Sequence, residues 1–197
     1  MRPYIFICCL TVVSGLWGQK KEPEALPYAE IPDYPEAYTA ETVAARMIDG
    51  LGFRYYWATE GLTPADLAYK PGKEARTSAE TIDHIYMLCR IVAHTVAGKP
   101  NEAIEEKQLS FEEKRGQTLW FLKQAADKLR TAKAGTLKDV RIIFKRGEDT
   151  SEFPFWNLIN GPIADALWHV GQVVSFRRAS GNPLNPKVSV FNGKLRD

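Results

Sequence analysis

Between Pro162 and Phe176, four residues that could share a site recur at i, i+4, i+7 and i+11: Asp165, His169, Gln172 and Phe176. On a helix these positions stack along one side, with neighbouring Cβ atoms about 5–6 Å apart, so Asp165 and His169 reach a common point. A carboxylate and an imidazole meeting in this way either share a proton or hold a divalent cation. The rest of the helix sharpens the question. Ile163, Leu167, Val170 and Val174 make an apolar face that Ala166 and Val173 widen, and only Gly171, Ser175 and Arg178 suit water. A helix so apolar is expected to be buried, and a charge buried with it must be paired or metal-bound.

Three further helices are expected to surround this one. The first runs from Thr39 to Glu60 with Val43, Met47, Leu51, Tyr55 and Ala58 inward. A short turn follows at Leu62 to Asp66, with Thr63 as cap and Pro64 in the first position. Thr77 and Glu80 have capping-box spacing and open the second helix, whose face is Ile85, Leu88, Val92 and Val96 and whose end is marked by Gly98 and Pro100. Ser110 and Glu113 repeat the device for the third, with Leu119, Leu122, Ala126 and Leu129 inward and Gly135 as its stop. Val140 to Lys145 alternates in β-branched style, Gly147 to Thr150 is a turn, and Phe153 to Phe155 returns as a short arm. The fold class is therefore all-α: a four-helix bundle with long connections, a small β-hairpin between helices 3 and 4, and a packed extended tail at Val188 to Phe191. Bundles build sites from side chains on facing helices. His84, at the margin of the second helix's face, joins Asp165 and His169 as a candidate for one internal site. A hydrogen-bonded His169–Asp165 or His84–Asp165 pair without an ion is the alternative.

Two segments carry a family likeness. Thr77 to His84, after the Leu62 to Leu67 turn, resembles the first metal-ligand region of the DinB/YfiT-like proteins. Asp165-Ala-Leu-Trp-His-Val-Gly-Gln172 is similar to that family's fourth-helix motif of His, three residues, His, Arg, Gly, Gln. The resemblance spans roughly residues 39–182. It implies a four-helix bundle, often a homodimer, with a divalent ion (Zn, Ni, Fe or Mn) held by His84, Asp165 and His169. It also implies hydrolysis or thiol-group transfer on a small-molecule substrate, with the metal activating water or a thiol. Two positions depart from the motif: Asp165 stands where histidine is usual, and Val170 where arginine is usual. A carboxylate remains a good ligand, but it lowers the net charge of the ion's site and weakens its pull on a bound water. Gln172, one turn beyond His169, is the candidate catalytic residue, able to orient a ligand, a water or the substrate. Tyr55, Tyr56, Trp57, Trp156 and Trp168 are available as pocket walls.

Other classes are excluded or unsupported. A net charge of +2 over 197 residues, with basic residues scattered among acidic ones, gives no support to nucleic-acid binding. No phosphate-cradling glycine loop, dinucleotide fingerprint or Ser/His/Asp set is present. Arg177 and Arg178 could hold an anion or cap the last carbonyls. His94 lies about 15 Å along the helix from His84 and reads as solvated, and Cys89 reads as core.

Residues 1–18 resemble a signal peptide, with Arg2, an apolar run from Tyr4 to Val13 and a cut after Gly18. That run is too short for a comfortable transmembrane span. Export to the periplasm or outside the cell is the expected localisation. Residues 19–38, rich in Pro, Glu, Tyr and Ala, read as an arm over the surface and outside the core, and residues 39–197 as the bundle with its tail.

Overall fold

The computed structural model describes residues 25–103 and 108–197. The expected signal peptide lies outside the described residues. The chain is mostly helical with small strands. Four helices of 16 to 20 residues dominate: α1 (Ala40–Thr59), α3 (Ser78–Ala97), α4 (Phe111–Arg130) and α6 (Ala164–Ala179), with the short α2 (Pro64–Ala68) and α5 (Phe155–Leu158) between them. α1 and α3 each pack against both α4 and α6. Ile48, Leu51, Ile85, Leu88, Val92, Leu119, Leu122, Ala126, Val170 and Val173 meet in one core.

The local signals act where capping chemistry requires. Thr39, Thr63, Thr77 and Ser110 each accept a hydrogen bond from the N–H three residues on, and the side chain there bonds back to the cap's own N–H. Each reciprocal pair satisfies N–H groups that the first helical turn leaves free. α3 ends at Gly98, whose φ of 73° is left-handed and lets Lys99 N–H close on the His94 carbonyl at 2.8 Å.

Three small strands form a sheet, β1 (Asn101–Glu102), β2 (Arg141–Arg146) and β3 (Asp149–Pro154); β2 and β3 pair antiparallel about the Gly147 turn, and β1 runs parallel to β2. β1 is too short to show a pattern in sequence. The tail forms a second pair, β4 (Val188–Ser189) with β5 (Lys194–Leu195), and Phe191 at its tip is exposed.

Several expectations change. On α1 the inward face is Ala44, Ala45, Ile48, Leu51 and Tyr55, whereas Val43 and Met47 are exposed. Leu51, Tyr55 and Ala58 face inward as expected; the apolar positions at the start of α1 outnumber one face, so periodicity alone misplaced Val43 and Met47. α4 stops at Arg130, and Gly135 instead precedes a 3₁₀ turn at Thr136–Asp139. The arm contributes to the core: Tyr28 is buried, its ring fills the space where a Cβ on Gly52 would sit, and its hydroxyl donates to Asp49 Oδ1 at 3.1 Å. Burial and the Asp49 carboxylate push the Tyr28 phenol far up, keeping it a donor. Arg130 completes the cluster with a 2.7 Å bond to Asp49 Oδ2.

Candidate metal centre

α5 runs into α6 through a π-turn at Ile159–Ile163 that contains Pro162. Proline has no N–H and cannot continue an α-helical ladder. The wider turn absorbs it, with Ala164 N–H donating to the Ile159 carbonyl. The helix thus continues straight into Asp165. It is less buried than its composition suggests: Trp168 is exposed, as are Gly171 and Ser175, and Leu167 and Val174 are half-buried.

His84 from the second turn of α3 meets Asp165 and His169 from α6. One ligand atom of each lies within 4.8 Å of the others. His84 Nε2 stands 3.2 Å from Asp165 Oδ2, and His169 Nε2 stands 3.3 Å from Asp165 Oδ1. The two imidazoles meet edge to face, with ring centroids 4.7 Å apart at 86°. Side-chain exposures of 31% for His84, 40% for Asp165 and 15% for His169 open the cluster to solvent. Burial alone therefore does not force these groups to pair.

Gln172 Oε1 lies 2.7 Å from His169 Nδ1. A carbonyl oxygen accepts only, so Nδ1 carries a ring proton, and Nε2 is the nitrogen turned to the Asp165 carboxylate. A second ring proton or a metal ion between Nε2 and that oxygen makes the contact favourable. The fit test for a metal is therefore the chemistry of the donor set, and it passes: two imidazoles and a carboxylate suit Zn, Mn, Fe or Ni. Tetrahedral ligands about 2.1 Å from an ion stand about 3.4 Å apart, whereas the three ligand atoms here lie within 4.8 Å of one another and the two short contacts use different Asp165 oxygens, so the side chains would draw together around an ion.

The other singled-out residues have separate places. Phe176 ends the polar line by packing against Tyr69, with centroids 5.8 Å apart and the rings tilted at 47°. Tyr55 is fully buried in the core, Tyr56 packs edge-on to Trp57, and Trp156 and Trp168 are exposed. Val170 is buried, so the position where the motif has arginine faces the interior. Arg177 is a buried fastener: Nη1 donates to the Trp57 and Ala58 carbonyls and Nε to the Asn182 carbonyl. It caps the end of α1, a role that no local pattern could show. His94 is half-buried with Nδ1 3.1 Å from the Pro100 carbonyl. Its own burial, aided by Arg90 and Lys99, holds its pKa below the usual histidine range. Cys89 is buried, which pushes its thiol far up and leaves it unreactive.

The structural comparison bears on the helical fold. The chain is similar to the crystal structure of a DinB-like protein, YjoA, from Bacillus subtilis, with a TM-score of 0.52 and 13% identity, over 76% of this chain and 99% of that one. At that identity the likeness shows the fold. No family model and no curated protein matches the sequence.

Proposed function

We propose that this chain is an exported DinB-like four-helix bundle that binds one divalent metal through His84, Asp165 and His169 and uses it in hydrolysis or thiol-group transfer. The observation carrying this reading is the convergence of the three ligand atoms, with Gln172 Oε1 on His169 Nδ1 so that Nε2 is the nitrogen turned to the site. A bound ion would act as a Lewis acid on a small-molecule substrate. The protein's own part is positional. Asp165 divides its two oxygens between the imidazoles, Gln172 holds His169 in orientation, and the open side of the cluster admits substrate. Export rests on the apolar N-terminal run, and a homodimer is proposed by likeness to the family.

The second reading is a non-catalytic binder of metal or small ligand. It is favoured by one observation: among the described hydrogen bonds and ion pairs, no further acid or base joins the three ligands, and Gln172 is occupied by His169. Turnover separates the two. Assayed against thiol, amide and ester substrates, the enzyme reading expects metal-dependent turnover that His84→Ala and His169→Ala abolish. Stoichiometric metal with no turnover across the panel selects the binder.

A further inference from the structure

On the opposite side of α6 from His169 lies a groove of about 720 Å³, within the size range of small-molecule sites. The α1 residues that line it, from Arg46 to Trp57, span about 16 Å of one helical face. Leu167, Val170 and Val174 of α6 form the facing wall, and Val188 and Val190 of the tail hairpin close one flank. The C-terminal ends of α1 and α6 lie together, because Arg177 near the end of α6 bonds the carbonyls at the end of α1. The arm and tail are tied together beside the groove by Ile31 N–H on the Gly193 carbonyl at 2.8 Å.

The charge on this groove has one sign. Arg46, Arg54 and Arg178 line it, and no Asp or Glu does. Arg46 is engaged by the Pro32 carbonyl and the Tyr34 ring. Arg54 turns one nitrogen back to the Gly50 carbonyl of its own helix, and among the described residues neither Arg54 nor Arg178 pairs with a carboxylate. Both lie in the C-terminal halves of their helices, while Arg46, Met47 and Leu167 lie in the N-terminal halves. An apolar trough lined by three guanidinium groups, none paired with a carboxylate among the described residues and the Arg46 one held by a carbonyl and a ring, matches a molecule with an anionic head and an apolar body.

We propose that the α1–α6 groove binds a small anionic amphiphile of the fatty-carboxylate kind, with its head at Arg54 and Arg178 and its chain along Leu167, Val170 and Val174. Gly171 provides the sharpest test. It lines the groove, and a Cβ built there meets nothing within 4 Å, so a side chain can be added at this position without a clash at its first carbon. Calorimetric titration of the full chain with dodecanoate, below its micelle concentration, is the experiment. Dodecanol and the Gly171→Leu and Arg54→Gln/Arg178→Gln variants are the comparisons, with unfolding midpoint and metal content measured for each. The expected result is saturable one-to-one binding, weaker by about tenfold or more for dodecanol and for the double variant, as loss of charge-assisted bonds predicts. Gly171→Leu should abolish binding while metal content stays at the parent's level. No saturable binding by the parent, or equal binding by dodecanol and the double variant, overturns the proposal. So does a parent dimer that Gly171→Leu turns into monomer, since the groove then belongs to a second copy. If Gly171→Leu fails to fold, the double variant and dodecanol decide.

Discussion

Three side chains from two helices meet with their nitrogens toward one carboxylate, and Gln172 decides what that meeting means. With its carbonyl on His169 Nδ1, it turns Nε2 to the site as the nitrogen that would bind an ion. Gln172→Ala should therefore weaken metal binding by about 10–100-fold without abolishing it, the usual cost of losing a partner that orients a ligand. Competition titration against a chromophoric chelator measures this. Unchanged affinity would make Gln172 incidental. The pair on α6 was legible in sequence because i, i+4 spacing is local. His84 was placed by its position on a facing helix and by resemblance to a motif. The tautomer was not legible, since it depends on the Gln172 rotamer. Burial was also misjudged, because Trp168 points outward where composition suggested an enclosed helix.

At the scale of elements, the chain ends fasten the helices. Tyr28 leaves no room for a side chain at Gly52, whose added Cβ would lie 2.5 Å from ring atoms. Gly52→Ala should destabilise by about 1–3 kcal/mol through overpacking. In a Tyr28→Ala background the same change should instead be neutral or stabilising by up to about 1 kcal/mol, since alanine is the better helix former. A denaturant double-mutant cycle reads this change of sign. Asp66 ties α2 to the end of α6 by accepting bonds from Ser180, from Asn182 at 2.7 Å and from the Thr63 N–H at 2.8 Å. Burial raises its pKa, but the bonds from Asn182, Ser180 and Thr63 outweigh this and hold it well below the carboxylate range. A depressed folded-state pKa gives stability that is fully present above about pH 4 and lost as pH falls below it. Thermal scans from neutral to strongly acid pH should show that loss, and Asp66→Asn should lower the midpoint at neutral pH and flatten the acid limb. An equally steep acid limb in the variant would assign the loss to other carboxylates. Helix starts were legible because capping boxes are three-residue signals. The fasteners were not, because Tyr28 to Asp49 and Arg177 to Trp57 join positions far apart in the chain.

For the whole molecule, a metal that joins α3 to α6 must stabilise the fold. Any ligand bound only by the folded chain does so by mass action, by about 2.7 kcal/mol at a hundredfold excess over its dissociation constant. Chelation should lower the unfolding midpoint of the parent and leave that of His84→Ala unmoved, as scanning calorimetry would show. The helical class and the order of the four long helices could be read from apolar periodicity and caps. Which apolar stripe of α1 faces inward could not, since Val43 and Met47 are as apolar as the buried Ile48 and Leu51. The arginine-lined groove was likewise hidden, because its walls come from α1, α6 and the tail.

The central claim is one ion shared by His84, Asp165 and His169. Elemental analysis of protein purified without chelators, alongside His84→Ala, Asp165→Ala and His169→Ala, tests it directly. The account predicts close to one divalent transition metal per parent chain and loss of it in all three variants. A metal-free parent that also fails to take up added Zn, Mn, Fe or Ni, or variants that keep the parent's metal, would contradict it.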